Sequence, residues 1–153
     1  VYLDLKAVDL DGLVKKIHER GYERRVIFVH GDPEMCKKLK GVYEGARTMT
    51  WLSGSANMQR KQFERLKAKG FPGISQLQFH LRVTPNPDPS VIEYEHDDAF
   101  LREAASAARA AGVELQVRPF AFNHASLERL VGCGIHWYVA DAPKAFHDAL
   151  IGR

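Results

Sequence analysis

Apolar positions along this chain alternate between a spacing of two and a helical spacing. Residues 2–6 predict a strand, with Leu3 and Leu5 on one face and Tyr2, Asp4 and Lys6 on the other. Leu10, Leu13, Val14 and Ile17 then recur at helical intervals. They predict a helix over 9–20, capped by Asp9 and stopped at Gly21. The pattern repeats down the chain. Strands are predicted over 25–29, 47–52, 74–83, 113–122 and 135–139. Helices are predicted from Pro33, carrying Met35, Leu39 and Val42, and over 57–69, 97–111, 124–131 and 143–151. Gly70 and Gly112 stop two of them. Residues 84–90, with Pro85, Pro87 and Pro89, predict a loop, because proline cannot continue a central strand.

Six strand-then-helix units with short connections predict a parallel sheet with helices packed on it. The polarity of the strands refines this. Over 76–83, Gln76, Gln78, His80 and Arg82 share one face, and Leu77, Phe79, Leu81 and Val83 the other. Strands in a doubly wound sheet are apolar on both faces, because helices cover both. One polar face predicts instead a barrel with helices outside and a polar interior. No glycine-rich dinucleotide fingerprint follows any strand, which also weighs against a Rossmann-type sheet. The fold class expected is therefore α/β, a TIM-type (β/α) barrel that is incomplete, with about six βα units in one domain over residues 1–153.

Composition leaves this picture unchanged. The 153 residues are 45% hydrophobic and 27% charged, enough for one domain with a core. The formal charge is only +3, with both signs mixed along the chain, so no nucleic-acid surface is expected. No apolar run is long enough for a transmembrane helix. Val1 opens the chain inside a strand-like run without an initiator Met, the pattern expected of a processed chain or a fragment. Cys36 and Cys133 read as two free thiols, with a disulfide as the alternative that geometry rather than sequence decides.

Candidate chemistry gathers at strand ends. Asp4 and Lys6 lie two apart, so both side chains share a face near the C-terminal end of their strand, where barrel enzymes place their sites. The carboxylate suits a hard cation such as Mg²⁺ or Ca²⁺, and the ammonium suits phosphate charge. An internal ion pair is the equal alternative. His30 and Gly31 end the second strand as a site loop or a helix start, with Asp32 as N-cap and Pro33 at the first helical position. Gln78, His80 and Arg82 offer a polar face for an anionic or hydroxylated ligand, or a hydrogen-bonded interior. Phe120 and Asn123 end the fifth strand, and Asp141 reads as a helix cap before Pro143. His18, His96, His124, His136 and His147 show no ligand spacing and read as surface or packing residues. CxxC, HExxH and P-loop motifs are absent.

Three segments resemble the glycerophosphodiester phosphodiesterase family. Tyr2-Leu3-Asp4-Leu5-Lys6 resembles its strand ending in Glu-x-Lys, with Asp4 in the Glu position. Val26 to Asp32 resembles its apolar strand ending in Ser-Phe-Asp. Ala111-Gly112-Val113 through Phe120-Ala121-Phe122-Asn123, then Gly134-Ile135 through Ala140-Asp141-Ala142-Pro143, resembles its Ala-Gly-x-x-Val…Trp-Thr-Val-Asn…Gly-Val-Asp…Thr-Asp-x-Pro finish. The order and spacing match over essentially the whole chain.

The resemblance implies the C-terminal part of a TIM-type barrel in lipid metabolism. It implies hydrolysis of glycerophosphodiesters, a small-molecule substrate, to glycerol 3-phosphate and an alcohol. It also implies a divalent cation, Mg²⁺ or Ca²⁺, with Asp4 as ligand, and two histidines as general acid and base. The family's His-Arg-Gly, Glu-x-Asp and His-Asp motifs would lie ahead of Val1. Lys6 and His30 are the expected catalytic residues here, and Gln78, His80 and Phe120 the expected substrate contacts. The departures matter. Asp4 is one methylene shorter than Glu, His30-Gly31 stands for Ser-Phe, Phe120-Ala121-Phe122 for Trp-Thr-Val, and Ala140 for Thr. They imply a divergent phosphodiesterase or one that has lost activity. The alternative function is a binding module on the same scaffold, without turnover. An incomplete barrel leaves two open edges, expected to be covered by an N-terminal segment or a second copy.

Overall fold

A computed structural model describes residues 1–86, 88 and 90–152. Six strands run in one sheet in chain order, every neighbouring pair parallel. They are β1 (Tyr2–Asp4), β2 (Ile27–Val29), β3 (Arg47–Leu52), β4 (Gln76–Leu81), β5 (Glu114–Pro119) and β6 (Trp137–Tyr138). The helices between and after them are α1 (Leu10–Glu19), α2 (Pro33–Val42), α3 (Ala56–Ala68), α4 (Asp98–Ala110), α5 (His124–Gly132) and α6 (Pro143–Leu150). Four starts carry side-chain caps: Asp32, as expected, accepts from the Glu34 amide, Ser55 from the Met58 amide and Asp97 from the Phe100 amide, and Asn123 forms a reciprocal capping box with Ser126.

Register assigns the two faces. Parallel partners point the same way, so Leu3, Phe28, Thr48, Thr50, Leu52, Leu77, Phe79, Leu81, Leu115 and Val117 form the helix side. Leu77, Phe79, Leu81 and Val117 are fully buried there. Phe63 of α3 meets Phe71, Phe79 and Phe100 with ring centroids 5.6–5.8 Å apart, each pair adding about 0.5–1.5 kcal/mol beyond burial. A smaller cluster, Val14 and Ile17 of α1 with Phe28, Leu39 and Ala46, holds the other end of the sheet.

The opposite face carries Tyr2, Arg47, Gln76, Gln78, His80, Glu114, Gln116 and Arg118. The sheet curls around it. The Tyr2 hydroxyl on β1 donates to Gln76 Oε1 on β4 at 2.8 Å and accepts from Gln116 Nε2 on β5 at 3.4 Å, across the concave side. A flat sheet could not bring β1 to β5. The structure is thus an incomplete α/β barrel, a curled half-barrel, as the strand polarity predicts. Among the described residues β1 and β6 pair on one side only.

Several local expectations change. The first strand ends at Asp4, and Lys6 sits in a bend. Arg25 belongs to a 3₁₀ turn (Glu23–Arg25) rather than to β2. Asp9 occupies the N-cap position of α1 without a side-chain bond to it. Val83 leaves β4 to bridge Tyr94 antiparallel, so the loop after β4 is a pinned excursion. Pro85 lies in it, as expected, whereas Pro87 and Pro89 fall outside the described residues. Cys36 and Cys133 are buried free thiols, and burial pushes the Cys36 pKa up to about 11.

His96 is a packing residue, 1% exposed. Its ring stacks on Phe100 with centroids 5.0 Å apart and meets Phe79 edge-on at 5.5 Å. Its Nδ1 has no partner. Burial, helped by the Arg60 cation and opposed by Glu95 and Asp97, pushes its pKa down to about 4. The unfolded state, near the ordinary 6.5, therefore binds a proton that the native state refuses. Stability is full above that value, falls as pH drops toward about 4, and levels below it, by on the order of 3 kcal/mol in all. Urea midpoints across this window should fall more steeply in wild type than in His96→Leu, and equal slopes would contradict the assignment.

The open edges carry a second expectation. Unpaired strand edges template association. Sedimentation of the 153-residue chain should show concentration-dependent species, and a concentration-independent monomer would show that the edges are inert.

Candidate active site at the barrel mouth

All six strands run the same way, so their C-terminal ends form one rim. A cavity of about 500 Å³ opens there on the concave face, lined by Asp4, Trp51, Gln78, His80 and Arg118 among others. All six strands or the turns after them contribute. Asp4 ends β1, Val29 ends β2, Trp51 comes from β3, His80 from β4, Arg118 from β5 and Val139 from the turn after β6, with Phe120 and Asp141 beside Arg118.

Asp4 and Lys6 meet as an ion pair, Oδ2 to Nζ 2.8 Å, with side chains 52% and 77% exposed. The pairing is on the rim, not internal, and the bend after β1 is what turns Lys6 back to its partner. At that exposure the pair contributes little to stability.

His80 sits against Phe120, with ring centroids 5.7 Å apart, and its Nε2 lies 3.0 Å from Gln78 Oε1. Partial burial, then the Arg118 and Arg82 cations, push its pKa below the ordinary histidine value. His80 is therefore neutral at pH 7. Arg118 packs 5.5 Å over the Phe120 ring, and its Nη2 donates to Asp141 at 2.7 Å. Asp141 is thus a rim partner of Arg118, not the cap of α6, whose N-cap position is Ala142. Ion pairing with the guanidinium outcompetes a cap whose backbone donor is replaced by Pro143.

The structure brings Asp4, Lys6, Gln78, His80 and Phe120 together at this rim. His30 stands apart. Its Nδ1 accepts from the Asp32 amide at 2.9 Å, tying the ring into the turn before α2, and it does not line the cavity. Beside it, Gly31 touches the Trp51 indole: a Cβ there would meet Cζ2 at 2.9 Å, so only glycine lets Trp51 take this position.

Sequence reasoning missed Trp51, Arg118, Glu114 and Gln116. Glu114, Gln116 and Arg118 alternate along β5 just as Gln76, Gln78 and His80 do along β4, so the same period-two test would have found them. Trp51 carried no such signal, because β3 is buried on both faces through most of its length.

Among the described residues no three His, Cys, Asp or Glu side chains cluster in a way that could hold a metal ion. Among the described residues Asp4 is the only carboxylate lining the cavity, and it is already paired with an ammonium. Hard cations take six or more oxygens, so these residues alone do not fit one.

Fold and mouth together define a barrel of the kind that places a site at the strand ends. No family model matches the sequence, and no curated protein matches it. Among solved structures, the fold is similar to a glycerophosphodiester phosphodiesterase from Agrobacterium tumefaciens, at 17% identity and TM-score 0.58, covering 92% of this chain and 52% of that one. It is similar to a glycerophosphoryl diester phosphodiesterase from Parabacteroides distasonis at 11% identity and TM-score 0.59, covering 99% and 50%. A glycerophosphodiester phosphodiesterase from the same organism gives 13%, 0.57, 99% and 57%. This chain spans about half the length of these structures. At such identities the likeness establishes the fold.

The exposed ion pair yields a direct expectation. Calorimetry with Mg²⁺ should find only weak binding by the 153-residue chain, with Kd about 10⁻³ M or weaker. Asp4→Asn should remove it. Tight binding that survives Asp4→Asn would take Asp4 out of the cation's reach.

Proposed function

We propose that this chain forms part of a phosphodiesterase that hydrolyses glycerophosphodiesters to glycerol 3-phosphate and an alcohol. One observation carries the reading. Two of the three segments that resemble that family in sequence end at the mouth: Asp4 and Lys6 at the end of β1, then Phe120 after β5 with Asp141 after β6; the third, over 26–32, lends the cavity Val29 but turns His30 away. The likeness to solved phosphodiesterases over 92–99% of the chain supports it.

Roles follow from chemistry. Lys6, 77% exposed and tethered only to Asp4, is free to swing onto a phosphoryl oxygen. Arg118 is a second cation facing the cavity, held in place by Asp141. His80 and Phe120 hold the organic part of the substrate, and Gln78, buried behind them, holds the His80 ring. Asp4 is the one oxygen ligand these residues offer to Mg²⁺ or Ca²⁺, with the remaining ligands and the acid–base histidines contributed by a segment ahead of Val1. His30 is the weakest member of the set, because the turn before α2 already uses its Nδ1.

A non-catalytic binding module is favoured by one feature, the single lysine-paired carboxylate in the cavity. One assay separates the two. Release of glycerol 3-phosphate is measured with Mg²⁺ or Ca²⁺ present. The 153 residues alone should be inactive, since phosphodiester cleavage needs an acid for the leaving oxygen and a base for the nucleophile. A longer protein with intact upstream motifs should turn over, and Lys6→Ala should cut its rate by about a hundredfold, the scale of one preorganised charge-stabilising group. An inactive longer protein that still binds glycerol 3-phosphate would favour the binding module. Turnover by the 153 residues themselves, lost in Lys6→Ala, would show that the division of labour is wrong.

A further inference from the structure

The concave face holds a hydrogen-bonded chain that runs from the bottom of the half-barrel to its mouth. At the bottom, the Glu114 carboxylate takes Arg47 Nη2 at 3.2 Å and Gln76 Nε2 at 2.9 Å. Gln76 Oε1 takes the Tyr2 hydroxyl at 2.8 Å, and the Tyr2 oxygen takes Gln116 Nε2 at 3.4 Å. Gln116 Oε1 takes Gln78 Nε2 at 2.5 Å, and Gln78 Oε1 faces His80 Nε2 at 3.0 Å. Gln76, Gln78 and Gln116 are all at least 95% buried, so bulk water offers their amides no substitute partner.

The direction of this chain has one solution. An ionised carboxylate only accepts, and a guanidinium only donates, so the Arg47–Glu114 end can take the amide of Gln76 only as a donor. Gln76 must then present its oxygen to Tyr2. The tyrosine proton is spent on that oxygen, so Tyr2 can only accept from Gln116. The same reasoning turns Gln116 and Gln78 in sequence. His80 therefore meets an oxygen and must donate from Nε2. A neutral imidazole with its proton on Nε2 carries a bare lone pair on Nδ1. Nδ1 makes no hydrogen bond among the described residues, and His80 lines the mouth cavity.

We propose that His80 is the residue that reads a hydroxyl group of the ligand at the mouth, as an obligate acceptor whose tautomer is set by the Glu114-anchored chain. His80 is the contact residue, and Gln78, Gln116, Tyr2, Gln76 and Glu114 are positioning residues. The hydroxyl belongs to the glycerol moiety if the phosphodiester reading holds, and only the ligand's identity rests on that reading. An ammonium donor is disfavoured. Arg118 and Arg82 put positive charge beside the ring, and Arg118 already covers the face of Phe120 that would receive a cation. Asp141 offsets Arg118, and Lys6 offsets Asp4 across the cavity, so no uncompensated carboxylate draws a cationic head group in. The lowered pKa of His80 keeps the ring neutral at pH 7.

The test uses the 153-residue chain with ¹⁵N-labelled histidine. At neutral pH the His80 imidazole should give the spectrum of the Nε2–H tautomer. Exchanging the charges at the bottom, Arg47→Glu with Glu114→Lys, keeps the ion pair but makes position 114 a donor, so every amide turns over and His80 should switch to Nδ1–H. A ring whose tautomer is not governed by the chain would not respond to that exchange, and the ligand comparison tests what its other nitrogen reads. Glycerol 3-phosphate should move the wild-type Nδ1 resonance and bind about tenfold more tightly than propyl phosphate, which lacks both hydroxyls. The charge-exchanged protein should lose that preference. An Nδ1–H or doubly protonated ring in wild type, a tautomer unmoved by the exchange, or equal affinity for the two phosphates would each overturn the proposal. Failure of a complete barrel to hydrolyse glycerophosphodiesters, with the hydroxyl preference intact, would overturn the phosphodiesterase reading instead.

Discussion

A parallel sheet whose strands are apolar on one face only must find something other than helices for the second face. Here that face carries three glutamines, a tyrosine, an arginine–glutamate pair and a histidine, and the sheet curls until they satisfy one another. The contact that depends most on this curvature is Tyr2, which reaches from β1 to β4 and β5. Leaving those buried amides unpaired would cost about 1–3 kcal/mol each, so curvature and polarity hold each other in place. The outer side then follows from ordinary packing, with Phe63, Phe79 and Phe100 locking α3 and α4 onto the centre of the sheet.

The same face divides by height into two kinds of environment. Its floor is closed by Arg47 and Glu114, which are charged but tied to each other. Its rim gathers Asp4 with Lys6 and Arg118 with Asp141, two pairs in which each charge is compensated yet remains partly open to water. Between them lie neutral, buried amides. Charge at the bottom thereby sets orientation, and charge at the top is available to a ligand. A barrel whose strands all end at one rim collects these contributions from elements far apart in the chain, which is why β1, β5 and the turn after β6 share a cavity.

His80 and His96 show how packing sorts one residue type into different chemistry. Both are depressed in pKa, mainly by burial. His96 lies against two phenylalanines between helices and is closed to solvent, so its cost appears in stability. His80 lines the mouth with one nitrogen committed to Gln78, so its chemistry belongs to the cavity rather than to the core. They are sixteen positions apart and equally plain in the sequence; only the side of the sheet to which each is assigned separates them.

Most of the architecture was written in local pattern. Period-two polarity in β4 declared the barrel, helical spacing placed all six helices, and Asp32 marked the start of α2 correctly, because these signals depend on neighbours within a few residues. The ends of elements were less legible. The first strand stops at Asp4, Arg25 turns into a 3₁₀ segment, and Val83 departs to bridge Tyr94, each settled by partners elsewhere in the chain. The site divided in the same way. Residue types at strand ends pointed to Asp4, Lys6, Gln78, His80 and Phe120, since alternation alone puts a side chain on the concave face. Whether Asp141 would cap a helix or hold Arg118, whether His30 would face the cavity, and which nitrogen of His80 would carry the proton were decided only by the fold. Those answers rest on distances between β1, β4, β5 and β6 that exist only after the sheet has curled, with Tyr2 and Gln116 meeting across 114 positions of sequence.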